Sequence, residues 1–280
     1  ENNMYEFEKG GINVEFTQYE WKCLIFMLMA YFAGIPYIGT PQAGEILERS
    51  KGNILYRIFA KLAIKNAHKI IVDSHLLSNE INKTFGVKSS IIRNGFDSHY
   101  ALSFQKLKCE KERLLSIRGI QSNYQLIELI RANKKNGKVL PIDFVYPFKD
   151  SNYFSFLKKN ASLEDNFIGN LDKKNLYKLM SNALLTISIP DSDSSPRSVY
   201  EAIFCGSIVA LTNLPFLKEL PSCMLSRIFI VDIKNNFWLQ EAINFAELNY
   251  HKKYIPSQSA FEFCDQMFLT KKIISDIYEI

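Results

Sequence analysis

Cysteine and histidine are scarce in this chain, with five of the first and four of the second in 280 residues. Cys23, Cys109, Cys205, Cys223 and Cys264 are odd in number, widely scattered and never spaced as CxxC. Such spacing offers neither a disulfide framework nor a zinc site, and it fits a reducing cytoplasm. No low-complexity tract and no internal repeat is visible, which argues against disordered and solenoid architectures. Long hydrophobic runs are missing as well. The uncharged run at residues 23–38 is shorter than the ~20 residues a membrane-spanning helix needs, and Gly34-Ile35-Pro36 breaks it. A buried helix followed by a strand accounts for it. There is no signal-peptide pattern. Nor is there a basic stripe with interleaved aromatics, so nucleic acid is not expected as a partner. The net charge of +5 suits a protein that meets phosphates or an anionic membrane face.

What is present is 47% hydrophobic content, enough for two modest cores or one large one. Segments of helical and strand period alternate along the whole chain, which argues for an α/β fold. Strands are expected at 12–17, 36–40, 68–73 and 90–93, with helices at 19–32, 56–67 and 75–84 between them. Residues 94–97, Asn-Gly-Phe-Asp, read as a turn. The polar, Lys-rich stretch 98–112 reads as a linker. Beyond it, strands at 114–117, 141–146, 166–168 and 184–190 alternate with helices at 124–132, 154–159 and 173–182. Residues 216–220 and 228–232 continue the alternation, 237–249 reads as a helix, and 259–280 as a terminal helix. The expected organisation is therefore 1–97, a linker 98–112, a second domain 113–258 and the closing helix 259–280.

The most informative stretch is 188–211, SIPDSDSSPRSVYEAIFCGSIVAL. An apolar run ends in the small polar loop 191–195, Pro196 opens a helical pattern that stops at Gly206, and a second apolar run follows. Proline at a first helical position and glycine just past a last one are the expected punctuation. Strand, loop, helix and strand make a βαβ unit, which sets the loop at the carboxyl edge of a parallel sheet, where such folds bind ligands. A helix N-terminus there offers free N–H groups to a phosphate, and Ser194 and Ser195 are small enough for close backbone approach. Glu201 follows Arg197 by one turn, so the two share a helix face.

Asp193, the Ser-Ser-Pro turn, Glu201 eight positions after the aspartate, then Ala202, Gly206 and Val209, resemble the C-terminal signature of the retaining GT-B glycosyltransferases of family four (group 1). That family usually has Glu at the position of Asp193. Ala33-Gly34-Ile35-Pro36, the run AHKIIVDS at 67–74 and IIRNGFD at 91–97 resemble, in order, the second half of its N-terminal domain. The resemblance implies two Rossmann-type, doubly wound parallel-sheet domains facing a cleft, the first of them incomplete here. The amino end is then a truncation or a divergent start. It also implies a closing helix that crosses back onto the first domain.

The same resemblance implies site roles. Glu201 accepts hydrogen bonds from the ribose hydroxyls of a nucleotide, and Asp193 binds the donor-sugar hydroxyls. Ser194, Ser195 and Pro196 cradle the diphosphate. Arg118 holds the diphosphate too, while Asn123 stands where the family has a second cation, a Lys, so Arg197 is the candidate replacement. Gly169 and Asn170 lie beside the base. Gln42 stands where relatives carry a His facing the donor sugar, and Gln can be neither acid nor base.

The activity implied is retaining transfer of a hexose-type sugar from a UDP- or GDP-linked donor to a glycan or lipid-linked acceptor. Neither metal nor cofactor is implied. The expected setting is cell-surface polysaccharide, lipopolysaccharide or capsule synthesis, in the cytoplasm and peripherally at the inner membrane face. A GT-B-like nucleotide-sugar epimerase, or a catalytically decayed sugar-nucleotide-binding scaffold, is the alternative.

Overall fold

Four-residue runs such as Ile-Asp-Phe-Val and Leu-Thr-Ile-Ser are buried on both faces, the pattern of strands sandwiched between helix layers. The computed structural model describes residues 12–15, 20–41, 54–105 and 112–278. Two compact units are formed: Glu1–Asn94 with Leu269–Ile280, and Gly95–Phe268.

In the first unit, strands β1 (Ile12–Glu15), β2 (Tyr37–Thr40), β3 (Lys69–Val72) and β4 (Ser90–Ile91) pair in that order, all parallel. Helices Glu20–Phe32, Ile54–Asn66 and His75–Phe85 cover one face, packing Leu24, Met27, Tyr56, Ala63 and Ile81 with Ile70 of β3. Tyr37 donates to the Ala63 carbonyl at 2.6 Å, and burial raises its phenol to about 12. Ser74 caps the helix His75–Phe85 by accepting from Leu77 N–H, and Gly86 ends it at φ +71°, a conformation that favours glycine. On the opposite face, Leu269 of the helix Gln266–Tyr278 packs against Ile38, Ile71 and Ile92.

The second unit carries six parallel strands: β5 (Leu114–Ser116), β6 (Ile142–Val145), β7 (Asn166–Gly169), β8 (Leu185–Ser188), β9 (Val209–Thr212) and β10 (Ile228–Val231). Their spatial order is β10-β9-β8-β5-β6-β7. Read from the other edge, this is the 3-2-1-4-5-6 order of a doubly wound sheet, and the winding reverses between β5 and β8. Apolar clusters fill both faces. Arg227, 5% exposed, donates to the carbonyls of Asn249, Lys252 and Gly206. It thereby ties the turn after the helix Arg197–Phe204 to the chain that follows the helix Trp238–Asn249. Burial lowers its guanidinium to about 10.

Three segments differ from the sequence expectation. The stretch read as a linker opens with a helix, Ser98–Leu102, capped by Asp97, and Ser98 is buried with its hydroxyl donating to Asp265 at 2.5 Å. Its Lys-rich composition hides this short, locally capped element. Residues 259–280 do not form one helix. Helices Gln258–Cys264 and Gln266–Tyr278 meet at Asp265, whose carboxylate accepts from Ser98 and from Met267 N–H. Residues 216–220, read only as continuing the alternation, fall in a short 3₁₀ turn, Pro215–Glu219, with Leu220 closing it, because Pro215 fixes the first residue of a tight turn. No described helix is long and apolar enough to cross a membrane.

Candidate functional site

At the point where the winding reverses, the loops leaving β5 and β8 meet, and two backbone-directed hydrogen bonds join them. Asp191 N–H donates to the Asn123 carbonyl at 2.8 Å, and the Gln125 amide donates to the Ile189 carbonyl at 3.1 Å. Gln125 adopts φ +51°, the one positive value outside glycine among the described residues. Helix formation is delayed there: a 3₁₀ turn, Ser122–Tyr124, precedes the helix Leu126–Lys135, which therefore starts later than the expected 124. Gly119 is required by space, since a Cβ there would lie 2.1 Å from the Phe148 ring.

Arg118 comes from the β5 loop and is nearly buried, with 10% of its side chain exposed. Its guanidinium pairs with the Asp193 carboxylate, donates to Ser198 Oγ at 3.3 Å and lies over the Tyr124 ring at 4.6 Å. Asp193 also accepts from Ser195 N–H at 3.2 Å, so its two oxygens order the polar loop and hold the cation together. Ser194 and Pro196 are buried, and Ser195 Oγ lies 3.3 Å from the Tyr200 hydroxyl. Pro196 stands at the N-terminal boundary of the helix Arg197–Phe204, which Gly206 follows at φ +83°. Arg118 Nε, Asn123 Oδ1, Ser116 Oγ and Ser188 Oγ are buried without a hydrogen-bond partner. These four polar atoms belong to β5, β8 and the loop after β5.

Glu201 forms a second cluster on the same helix. Only 2% exposed, its carboxylate accepts from Lys173 Nζ and from the Tyr177 hydroxyl at 3.2 Å, with Arg197 Nε 3.6 Å away. Burial, then the Glu201 charge, pushes the Tyr177 phenol well above its usual range, and burial followed by Glu201 does the same to the Cys205 thiol. The phenol therefore stays a donor to the carboxylate. Lys173 and Arg197 are each about half exposed, so this end of the cluster opens to solvent as a cationic rim around a buried acid.

The remaining expected residues divide. Gly169 ends β7 at φ +82° and Asn170 is exposed; Tyr146 N–H donates to the Gly169 carbonyl. The loop after β7 does reach Glu201, but through Lys173 at the start of the helix Lys173–Asn182, which Asp172 caps. Gln42 lies outside the described residues. Arg197 faces Glu201 and not Asp193 in the ion pairs formed. Four residues were not singled out in the sequence: Lys173, Tyr177, Ser198 and Tyr124. Lys173 and Tyr177 stand four apart at the head of a helix just past Gly169-Asn170, a spacing that marks one helix face. Among the described residues no group of three His, Cys, Asp or Glu side chains is arranged to hold a metal ion.

No family model and no curated protein matches the sequence. Solved structures do match. HepE of Anabaena, in complex with UDP and glucose, superposes with a TM-score of 0.76 at 16% identity, over 92% of this chain and 76% of its own. Sucrose-phosphate synthase from Thermosynechococcus elongatus reaches 0.72 at 12% identity, over 96% and 73%. A trehalose-6-phosphate synthase, studied with bisubstrate glycomimetics of glycosyl transfer with retention, reaches 0.73 at 11% identity, again over 96% and 73%. Identities this low establish fold alone. The chain has an α/β fold of the GT-B kind, two units each built on a parallel sheet.

Proposed function

We propose that this protein is a glycosyltransferase that takes a sugar from a nucleotide sugar, UDP-linked in the first instance, and passes it to a glycan or lipid-linked acceptor. The observation that carries the reading is the pair of acid–cation clusters in the second unit on the segments that follow its strands, Arg118 with Asp193 where the winding reverses and, beside it, Lys173 with the Glu201 of the helix that follows Asp193. A ligand rich in hydroxyls and phosphates needs both kinds of group, and this is the edge at which doubly wound sheets bind nucleotides. HepE, of like fold, binds UDP and glucose, which supports the same donor class here.

In this reading Glu201 accepts from the ribose hydroxyls, its buried carboxylate already oriented by Tyr177 and Lys173. Asp193 faces the donor sugar, and the turn Ser194-Ser195-Pro196 cradles the diphosphate. Departure of a nucleoside diphosphate requires its developing charge to be neutralised, a large share of catalysis in such reactions. Arg118, Lys173 and Arg197 are the cations at hand, so the charge that Asn123 does not carry is supplied by other side chains. With three cations, we propose that no metal ion takes part. The structural likeness to a trehalose-6-phosphate synthase studied for glycosyl transfer with retention favours retention. A role in cell-surface polysaccharide synthesis, at the inner face of the plasma membrane, completes the proposal.

The test is a titration of the protein with UDP, GDP and ADP by calorimetry, then with UDP-sugars. Binding of UDP with loss of affinity in Glu201→Gln and Arg118→Ala supports the reading; no binding of any nucleotide at millimolar concentration overturns it. Turnover of the donor to an epimer, without acceptor, would replace transfer by epimerisation.

A further inference from the structure

The helix Ile54–Asn66 has three faces in a unit where two are usual. Tyr56, Ala60, Ala63 and Ile64 point into the core of the first unit. Ile54, Leu55, Ile58, Phe59 and Leu62 are exposed, the first of them by 76%. Arg57, Lys61 and Lys65, at successive intervals of four, form an exposed basic ridge between them. At 3.6 residues per turn Arg57 and Lys61 fall on the border between the buried face and the exposed apolar face, and Lys65 carries the row onto the edge of the apolar face. The helix has no acidic residue. Its neighbour Glu20–Phe32, which shares the same core, adds Ile25, Phe26, Met29 and Phe32, all more than half exposed. These lie at i, i+1, i+4 and i+7, one stripe of that helix. Two adjacent helices thus turn nine large apolar side chains to solvent. A surface of this kind marks an interaction site.

We propose that this face docks onto an anionic lipid bilayer, with the apolar stripe entering the headgroup region and the ridge Arg57, Lys61, Lys65 pairing with lipid phosphates. An apolar face flanked by Lys and Arg, on a helix too short to span, is the pattern of a helix that lies in the interface plane. Thirteen residues are about two-thirds of a span. Charge chooses the occupant. A second copy would bring apolar stripes together, yet the helix Ile54–Asn66 brings no carboxylate for the ridge of its mate. Anionic headgroups supply that complement along the whole ridge. The inference gives the membrane contact proposed above a location, and it is tested with no nucleotide present, so the two readings fail separately.

The full chain is sedimented with vesicles of phosphatidylcholine alone and with about one-third phosphatidylglycerol, at low and high salt, while light scattering follows its oligomeric state. Partition onto the anionic vesicles, weakened by salt, is expected. The charge-reversed double variant Arg57→Glu, Lys61→Glu should lose about tenfold or more in partition. Ile58→Ser with Phe59→Ser should lose as much at either salt concentration. All four positions are solvent-exposed, and circular dichroism verifies that each variant is folded. Absence of partition, or partition indifferent to both variants, overturns the proposal. A concentration-dependent dimer dissolved by Ile58→Ser and Phe59→Ser, with no vesicle binding, would assign the face to a second copy.

Discussion

Both units are parallel sheets flanked by helices, but they spend their unusual residues differently. In Gly95–Phe268 the exceptions to burial rules are polar: a nearly buried Arg118–Asp193 pair, a buried Glu201 ringed by Lys173 and Tyr177, and a buried Arg227 on three carbonyls. In the first unit apolar side chains left in water gather on two neighbouring helices, whereas those of the second unit, such as Leu163, Leu248 and Ile255, stand on separate elements. Its strands β2 to β4 also open onto a cavity at their carboxyl ends, lined by Thr40, Asp73 and Asn94 among apolar neighbours. On the two proposals made above, one sheet architecture serves either a polar small-molecule site or an adhesive face, according to which few side chains break the ordinary pattern.

Substitutions can break or sharpen this contrast. The largest effect is expected for Arg227→Ala, which leaves three carbonyls without their donor and opens space beneath Gly206. A loss of about 3–5 kcal/mol in unfolding free energy is expected, since three charge-assisted hydrogen bonds at about 1.5–3 kcal/mol each are lost while the cost of burying the guanidinium is relieved, measured by urea denaturation. A loss below about 1 kcal/mol would mean that water replaces the guanidinium.

Next comes Glu201→Gln. Loss of a charged acceptor costs about 1.5–3 kcal/mol, so UDP and UDP-sugars should both bind about tenfold to a hundredfold more weakly. Calorimetry on the two ligands checks it, and an effect on the sugar nucleotide alone would exchange the proposed roles of the two acids. Asp193→Asn is expected to act in the opposite sense on the bare nucleotide. Its carboxylate occupies the guanidinium of Arg118, the place a phosphate would take, so bare UDP should bind at least as tightly in the variant. The UDP-sugar should bind more weakly. If bare UDP weakens as much as in Glu201→Gln, the two clusters are one functional unit and the distinction collapses. The smallest effect belongs to the first unit. Ser74→Ala removes a helix cap worth about 1 kcal/mol, lowering the melting temperature by a few degrees while leaving UDP affinity unchanged.

The doubly wound plan was legible in the sequence because its strands are short, apolar and punctuated, as with Pro196 and Gly206 around one helix. The helix Ser98–Leu102 was not legible, since five residues carry too little period to stand out from a polar stretch. The break at Asp265 was hidden for another reason: both flanking helices are regular, and what stops the first is a carboxylate that answers Ser98, 167 residues away in sequence. At the site, Asp193 and Glu201 could be named because they sit on one continuous stretch. Lys173 and Tyr177 lie 28 and 24 residues before Glu201, on a different helix, and only packing brings them to its carboxylate. That Arg118 pairs with Asp193 was likewise outside the reach of local pattern, because the tertiary fold closes that distance.

The crossing between β5 and β8 has a consequence for how the chain acquires its shape in time. Arg118 and Asp193 stand 75 residues apart in sequence, with β6, β7 and their helices in between. Such a loop closes at an entropic cost that its intervening segments reduce by winding up first. Helical signal should therefore recover early after dilution from denaturant, with nucleotide affinity returning in a later, slower phase. Stopped-flow ellipticity beside a fluorescent nucleotide would resolve the two events, and simultaneous recovery would show that the central strands pair at the outset.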